Sequence, residues 1–225
     1  NLSACLVQRG QRILLVDLDP QANATSGLGI EKIEGGSVYQ ALLTGGDIRT
    51  RIRNTDYRRF DLVPAEVDLA GAEVDLVTAE DGLLRFARIL SPLLEEDRYD
   101  VILVDCPPSL GMLTINALAA AHGVIIPLQC EYYALEGLST IARIIGDLRK
   151  NGVNPRLDIE GIVMTMYDKR TRLARQVVHE VVNHFGDKVY DALIPRNVRL
   201  SEARVTESRW WSMTGKAPAP MPIAG

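Results

Sequence analysis

The sequence predicts an α/β fold, a doubly wound and mostly parallel sheet with helices on both faces, and three observations carry that prediction. Short apolar runs rich in branched residues alternate along the chain with longer stretches of helical period. Several runs are continuously hydrophobic rather than alternating, as in strands buried on both faces. Two of them, RILLVD and VILVD, end in aspartate, at the strand ends where open α/β sheets bind ligands.

Taken in order, a helix NLSACLVQR (1–9) comes first, and its apolar residues need a strand to pack on. The strand RILLVD (12–17) follows, then FDLVPA (60–65), a helical LAGAEVDL region, and the helix LLRFARILSPLLEE (83–96). VILVD (101–105) and GVIIPL (123–128) are the next strands. The helices LEGLSTIARIIGDLRKNG (135–152) and RLARQVVHEVVNHFG (172–186) both close on glycine, the residue that best tolerates a left-handed helix end. Between and after them lie the strands IEGIVMT (159–165) and VYDALIP (189–195).

Composition narrows the function. With 225 residues, 47% of them hydrophobic and 24% charged, the chain is expected to form one domain with a well-buried core. No apolar run approaches the roughly 18 residues of a membrane span, and no membrane association is expected. Cys5, Cys106 and Cys130 are an odd, scattered set without a CxxC pair, which suits a reducing cytoplasm and small buried side chains. His122, His179 and His184 form no ligand-spaced cluster. A net charge of -4 excludes a uniformly basic nucleic-acid binder but is compatible with a local basic patch.

Two segments carry chemistry. RILLVDLDPQANATSGLG (12–29) delivers Asp17 and Asp19 to a strand end, where carboxylates suit magnesium and an attacking water; the bland alternative is a pair of solvated or helix-capping aspartates. YDVILVDCPPSLGMLTINAL (99–118) delivers Asp105 in a Walker B arrangement, followed by Pro107, Pro108 and Gly111 in a turn suited to sensing a γ-phosphate. Lys169, Arg170, Arg172, Arg175, Lys188, Arg196 and Arg199 gather in the last third, either as a phosphate-binding patch or as solvated surface.

DLDPQANATSGLG and VDCPPSLG, in this order and separation, resemble the ParA/Soj-type partitioning ATPases, a deviant Walker family that includes MinD-like proteins. PLQCEYYALEGL (127–138), MTMYDKRTRLARQV (164–177) and IPRNVRLSEA (194–203) extend the resemblance over residues 1–203. It implies a P-loop NTPase-like fold that uses ATP and Mg2+. By resemblance Asp19 orients the hydrolytic water, Asp105 holds magnesium through water, and Asp17 supports that network. Met166 to Asp168 and Ile194 to Arg196 would flank the adenine, with Met166, Asp168, Pro195 and Arg196 as the nucleotide-binding candidates. Arg170, Arg172, Lys188, Arg196 and Arg199 are the DNA-binding candidates. The implied partners are a ParB-like protein, non-specific DNA of the nucleoid, and a second copy in an ATP-dependent homodimer, in the cytoplasm.

The chain departs from the family at both ends. The family's KGGVGKTT loop precedes the helix that here begins at Asn1, and none of it is present. That loop cradles the phosphates, so residues 1–225 are expected neither to bind ATP well nor to hydrolyse it, and the strand neighbours of the absent segment are expected to stand unpaired. Thr214, Gly215 and Lys216 do not replace it, having no strand before them. The family domain is expected to span 1–203, and residues 204–225, with Trp210 and Trp211, to form a disordered tail produced by a frameshift, which the coding DNA tests. Two other functions remain open: a non-catalytic module binding DNA or a partner, and a ParA/MinD-like ATPase positioning a protein cargo. A MinD-like protein needs an amphipathic C-terminal helix that the tail lacks. Related iron-sulfur carriers need a CxxC. Dethiobiotin synthetase shares the fold without the LSEA and EYYALEGL matches.

Overall fold

A computed structural model of the chain describes residues 1–197; Arg199, Trp210, Trp211 and the expected tail at 204–225 lie outside the described residues. The chain divides into two compact units, meeting in sequence between Ala121 and His122.

The first unit is built on a sheet in the order β2-β3-β1-β4. At its centre β1 (Ile13–Asp17) runs parallel to β3 (Phe60–Val63) and to β4 (Val101–Asp105), while β2 (Arg53–Asn54) adds a short antiparallel edge. The register sets Ile13 beside Val101 and therefore Asp17 beside Asp105. Neighbouring strands lie about 4.8 Å apart, so both aspartates emerge on one edge. Two short helices, α1 (Leu2–Gln8) and α2 (Asn23–Gly27), flank β1 in sequence, and α1 packs against β1 and β3.

Leu14 and Val16 share one face of β1 because side chains alternate along a strand. They join the core with buried residues of α3 (Val38–Thr44), α4 (Ala72–Thr78), α5 (Arg85–Glu95) and α6 (Met112–Ala120). Phe86 of α5 and Leu113 of α6 are wholly buried there. Local chemistry sets the ends of α3: Ser37 accepts a hydrogen bond from the Tyr39 amide at its start, and Gly45 closes it with φ of 67°.

An ion pair fixes where β1 begins against β4. The backbone amide and guanidinium of Arg12 both donate to the Asp100 carboxylate, each at 2.7 Å. Those bonds pull the Asp100 pKa down to about 2 from 3.8. A folded value below the unfolded one means that this stabilisation is present above pH 3.8 and is lost as pH falls towards 2. Asp100→Asn is therefore expected to flatten the acid limb of thermal stability between about pH 4 and pH 2; melting curves across that range check it, and an unchanged limb refutes it.

The second unit carries β5 (Gly123–Gln129) parallel to β6 (Asp158–Thr165), with helices α7 (Ala134–Lys150) and α8 (Arg172–Phe185). Leu138, Leu157, Ile162, Met164 and Val181 are its most buried side chains. Among the described residues β4 bonds to β1 alone and β5 to β6 alone, so each leaves one edge unpaired. Val101 to Val104 are accordingly only half-buried and Ile125 is exposed, where continuous apolar runs predicted burial on both faces.

One strand needs correction. Residues 189–195 do not form a regular strand, although Val189 bridges Ile162 and Pro195 bridges Tyr167 in parallel sense. The Tyr190 and Ile194 amides still donate to the Ile162 and Met164 carbonyls. The ladder is irregular because these two amides lie four residues apart while the carbonyls they reach lie two apart, so residues 191–193 fall out of register; beyond it Met166 turns left-handed, with φ of 53°. No helix among the described residues is long and apolar enough to cross a membrane.

Candidate functional site

Three carboxylates gather where β1 and β4 end. Asp17 is fully buried. Its Oδ2 accepts from the Thr25 amide at 2.8 Å and the Thr25 hydroxyl at 2.7 Å, and its Oδ1 accepts from the Asp19 amide at 3.2 Å. Thr25 Oγ1 also accepts from the Ala65 amide at 3.0 Å, so Asp17 and Thr25 together lock α2 and the end of β3 onto β1. These contacts make Asp17 an anchor whose oxygens point at donors of its own chain. Burial pushes its pKa above 3.8 against the pull of those bonds, Thr25 hydroxyl first.

Asp19 is half-buried, and its Oδ1 accepts only from the Gln21 amide, at 2.9 Å. Asp105 stands at the exposed end of β4 with no side-chain hydrogen bond among the described residues, while its carbonyl takes the Leu18 amide at 2.8 Å. Partial loss of solvent around its carboxylate, and then the negative charges of Asp17 and Asp19, raise its pKa. Carboxylates that repel one another without a cationic side chain between them suit a divalent cation. Among the described residues, however, no group of three or more His, Cys, Asp or Glu could hold a metal ion unaided. Asp105 thus offers one coordinating oxygen or a water-mediated contact, and the remaining ligands have to come from elsewhere.

The turn after Asp105 is pinned by a residue that sequence reasoning missed. Glu73 of α4 reaches across to accept the Met112 amide at 2.5 Å, capping the start of α6 right after Gly111. A Cβ on Gly111 would come within 2.5 Å of that carboxylate, so a larger residue there would displace the Glu73 side chain from its cap. Glu73→Ala strands the Met112 amide and is expected to cost about 1 to 2 kcal/mol, read by urea unfolding; a loss below a few tenths would show that water replaces the cap.

In the second unit, the two segments expected beside an adenine come together. The Tyr167 amide donates to the Ile194 carbonyl at 3.0 Å and the Arg196 amide to the Tyr167 carbonyl at 3.1 Å, which sets Met166 and Asp168 next to Pro195 and Arg196. Met166 is partly exposed in its strained backbone. Asp168 is engaged by the Arg170 guanidinium at 2.7 Å, which pulls its pKa down to about 2.

That ion pair occupies one of the expected DNA contacts, since Arg170 already faces a carboxylate. Lys188 is likewise bound to Asp158 at 2.9 Å, with Arg149 on the same carboxylate at 3.7 Å. Arg172 and Arg196 are exposed and have no ion pair among the described residues. The thiols of Cys106 and Cys130 are pushed up by burial to about 12 and about 11, which leaves them unreactive, whereas Cys5 is exposed rather than buried as expected.

A family model described as an AAA domain matches residues 1–159. The chain is 53% identical over 203 residues to the chromosome partitioning protein ParA of Myxococcus xanthus (strain DK1622), covering 90% of this chain and 71% of that protein. To the sporulation initiation inhibitor protein Soj of Bacillus subtilis (strain 168) it is 52% identical over 204 residues, covering 90% and 79%. Among solved structures it is similar to cobyrinic acid a,c-diamide synthase from Mycobacterium smegmatis with bound ADP and magnesium, at a TM-score of 0.78 and 35% identity, covering 99% of this chain and 91% of that one.

Proposed function

Because the chain belongs to the family of ParA/Soj-type partitioning ATPases, we propose that it is the body of a cytoplasmic, nucleoid-associated ATPase that segregates DNA. The observation that supports this reading best is the placing of Asp17, Asp19 and Asp105 on one sheet edge by the β1–β4 register. ATP and Mg2+ fit that edge. Asp105, partly desolvated and facing its neighbours' negative charge, suits a magnesium held through water. Bound there, magnesium would neutralise charge on the phosphates.

The chain's own residues divide the remaining work. Asp17, bonded to Thr25, holds the turn that presents Asp19. Asp19 orients a water towards the γ-phosphorus; the water's oxygen forms the new bond, the bond to the bridging oxygen breaks, and ADP and phosphate leave. The strand end at Met166 to Asp168, joined to Ile194 to Arg196, lines the adenine through backbone and apolar contact. ATP binding pairs two copies, the paired form binds DNA without sequence preference, and a ParB-like protein stimulates hydrolysis. Arg172 and Arg196 are the strongest of the expected DNA contacts among the described residues because, unlike Arg170 and Lys188, neither forms an ion pair.

Residues 1–225 include no KGGVGKTT-like segment, so on their own they are proposed not to turn over ATP. The test compares this polypeptide with one that carries a family-type strand and loop before Asn1. ATP hydrolysis and ATP-dependent, salt-sensitive retention of DNA are expected only from the second. Turnover by residues 1–225 alone would refute the phosphate-loop argument, and turnover by neither would refute the ATPase reading. DNA retention that ignores ATP would instead favour a non-catalytic binding module.

A further inference from the structure

Helix starts are ordinarily capped by the residue that precedes them, through a serine, threonine, aspartate or asparagine side chain. Helix α6 is not. Its N-cap is Gly111, which has no side chain to give, and its first amide donates instead to Glu73 of α4, 39 residues away. Glu73 is half-buried and forms no ion pair among the described residues, so its carboxylate is committed to this bond. Negative charge at a helix start also meets the positive end of the helix dipole. Gly111 and Glu73 are matched to each other. The three nearest atoms that a Cβ on Gly111 would meet, at 2.5, 2.5 and 2.7 Å, all belong to the Glu73 carboxyl group. The Gly111 backbone, with φ of -85°, is open to any residue, so the absent side chain provides room for the carboxylate.

This borrowed cap lies at the far end of the turn that begins at Asp105. On the strand side, Asp105 is fixed by its pairing with Asp17 and by the Leu18 amide on its carbonyl. Beyond it the chain runs through Pro108, Ser109 and Leu110, all exposed. The Thr114 hydroxyl donates to the Ser109 carbonyl at 2.7 Å, which ties the turn to α6 itself. Further along α6, the Asn116 side-chain amide bolts the helix to the Gly82 carbonyl at 2.7 Å. Glu73 fixes the first residue of the helix, where the turn ends, to a separate element.

We propose that Glu73 is a positioning residue for ATP hydrolysis: through the Met112 amide it holds the 106–111 turn, and with it the Asp105 carboxylate, in the geometry that serves the magnesium and the γ-phosphate. The inference rests on the ATPase reading above. Asp105 has no side-chain hydrogen bond of its own among the described residues, so its placement depends on the backbone at both of its ends. Once the cap is lost, α6 stays bolted at Asn116 while the turn is free to shift.

Two readouts test this. In residues 1–225 as they stand, exchange of the Met112 amide, followed by NMR, is expected to quicken at least about ten-fold in Glu73→Ala; unchanged protection would overturn the inference. In the polypeptide carrying the family-type strand and loop, Glu73→Ala is expected to lower kcat about ten- to a hundred-fold, with KM for ATP unchanged within about two-fold. Raising magnesium recovers part of that loss, and Glu73→Gln, whose amide oxygen still accepts from Met112, recovers most of it. Gly111→Ala, which displaces the carboxylate without straining the backbone, is expected to reproduce the deficit. Combined with Glu73→Ala it adds nothing further, since the two act through one contact. Circular dichroism and thermal melts confirm that each variant is folded at the assay temperature. Parent-like kcat in folded Glu73→Ala would overturn the inference and leave the ATPase reading standing, as would a Gly111→Ala deficit that multiplies with that of Glu73→Ala. A parent polypeptide that does not turn over ATP would instead refute the ATPase reading, and this role with it.

Discussion

Asp17→Ala is expected to lower the free energy of unfolding by about 3 to 5 kcal/mol. The residue is wholly buried and three donors converge on it, the Thr25 amide, the Thr25 hydroxyl and the Asp19 amide. Removing the carboxylate leaves all three without an acceptor, and each stranded donor costs about 1 to 3 kcal/mol. Two effects work in the opposite direction: water entering the space vacated by the side chain re-bonds some of the donors, and the expense of burying a charge disappears. Three stranded donors outweigh this relief, so the net sign is destabilising.

The pH dependence separates those contributions. Burial raises the Asp17 pKa above 3.8 in the fold, so the stability linked to its protonation is fully present below the unfolded value and is lost as pH rises through the folded one. Asp17→Asn keeps the shape and one acceptor but abolishes that slope. It is expected to cost less than alanine and to flatten the stability profile above pH 4. Urea unfolding at several pH values checks both substitutions. A loss under about 1 kcal/mol for Asp17→Ala would mean that Asp17 is not the anchor of α2.

Why Asp17 and Asp105 were legible in the sequence, while Thr25 and Glu73 were not, follows from the range of the interactions. A hydrophobic run ending in aspartate is local information, and so is the likeness of five motifs to one family. That the two strands lie side by side with Asp17 level with Asp105 depends on pairing across 88 residues, which no local pattern encodes. Thr25 acts across eight residues and Glu73 across 39, and each reads in sequence as an ordinary polar residue of a helix. Residues 189–195 have the composition of a strand, but a ladder also needs matched register, and here Tyr190 and Ile194, four residues apart, bond to Ile162 and Met164, two apart. The Asp168–Arg170 pair could have been found from spacing alone: a carboxylate two residues before an arginine at a helix entrance can fold back on it, and here it binds the guanidinium and the Arg170 amide together.

Asp19→Ala, made in the polypeptide that carries the family loop, is expected to reduce ATP turnover by about 10² to 10⁴-fold and to leave the fold intact. The structure separates it from its neighbour two residues earlier. Asp19 is half-buried and holds one local turn bond to the Gln21 amide, so its loss costs at most about 1 kcal/mol. An effect on rate without an effect on stability is the signature of a group that acts on substrate. Asp105→Asn distinguishes the third carboxylate: if it holds magnesium through water, its turnover deficit shrinks as magnesium is raised, whereas that of Asp19→Ala does not. Parallel measurements of turnover against magnesium and of urea unfolding read all three residues. Asp19→Ala retaining more than about a tenth of the parent turnover would place the orientation of the attacking water on another group. Unfolding of Asp19→Ala to the same degree as Asp17→Ala would make the whole DLD turn a scaffold, with catalysis left to residues outside it.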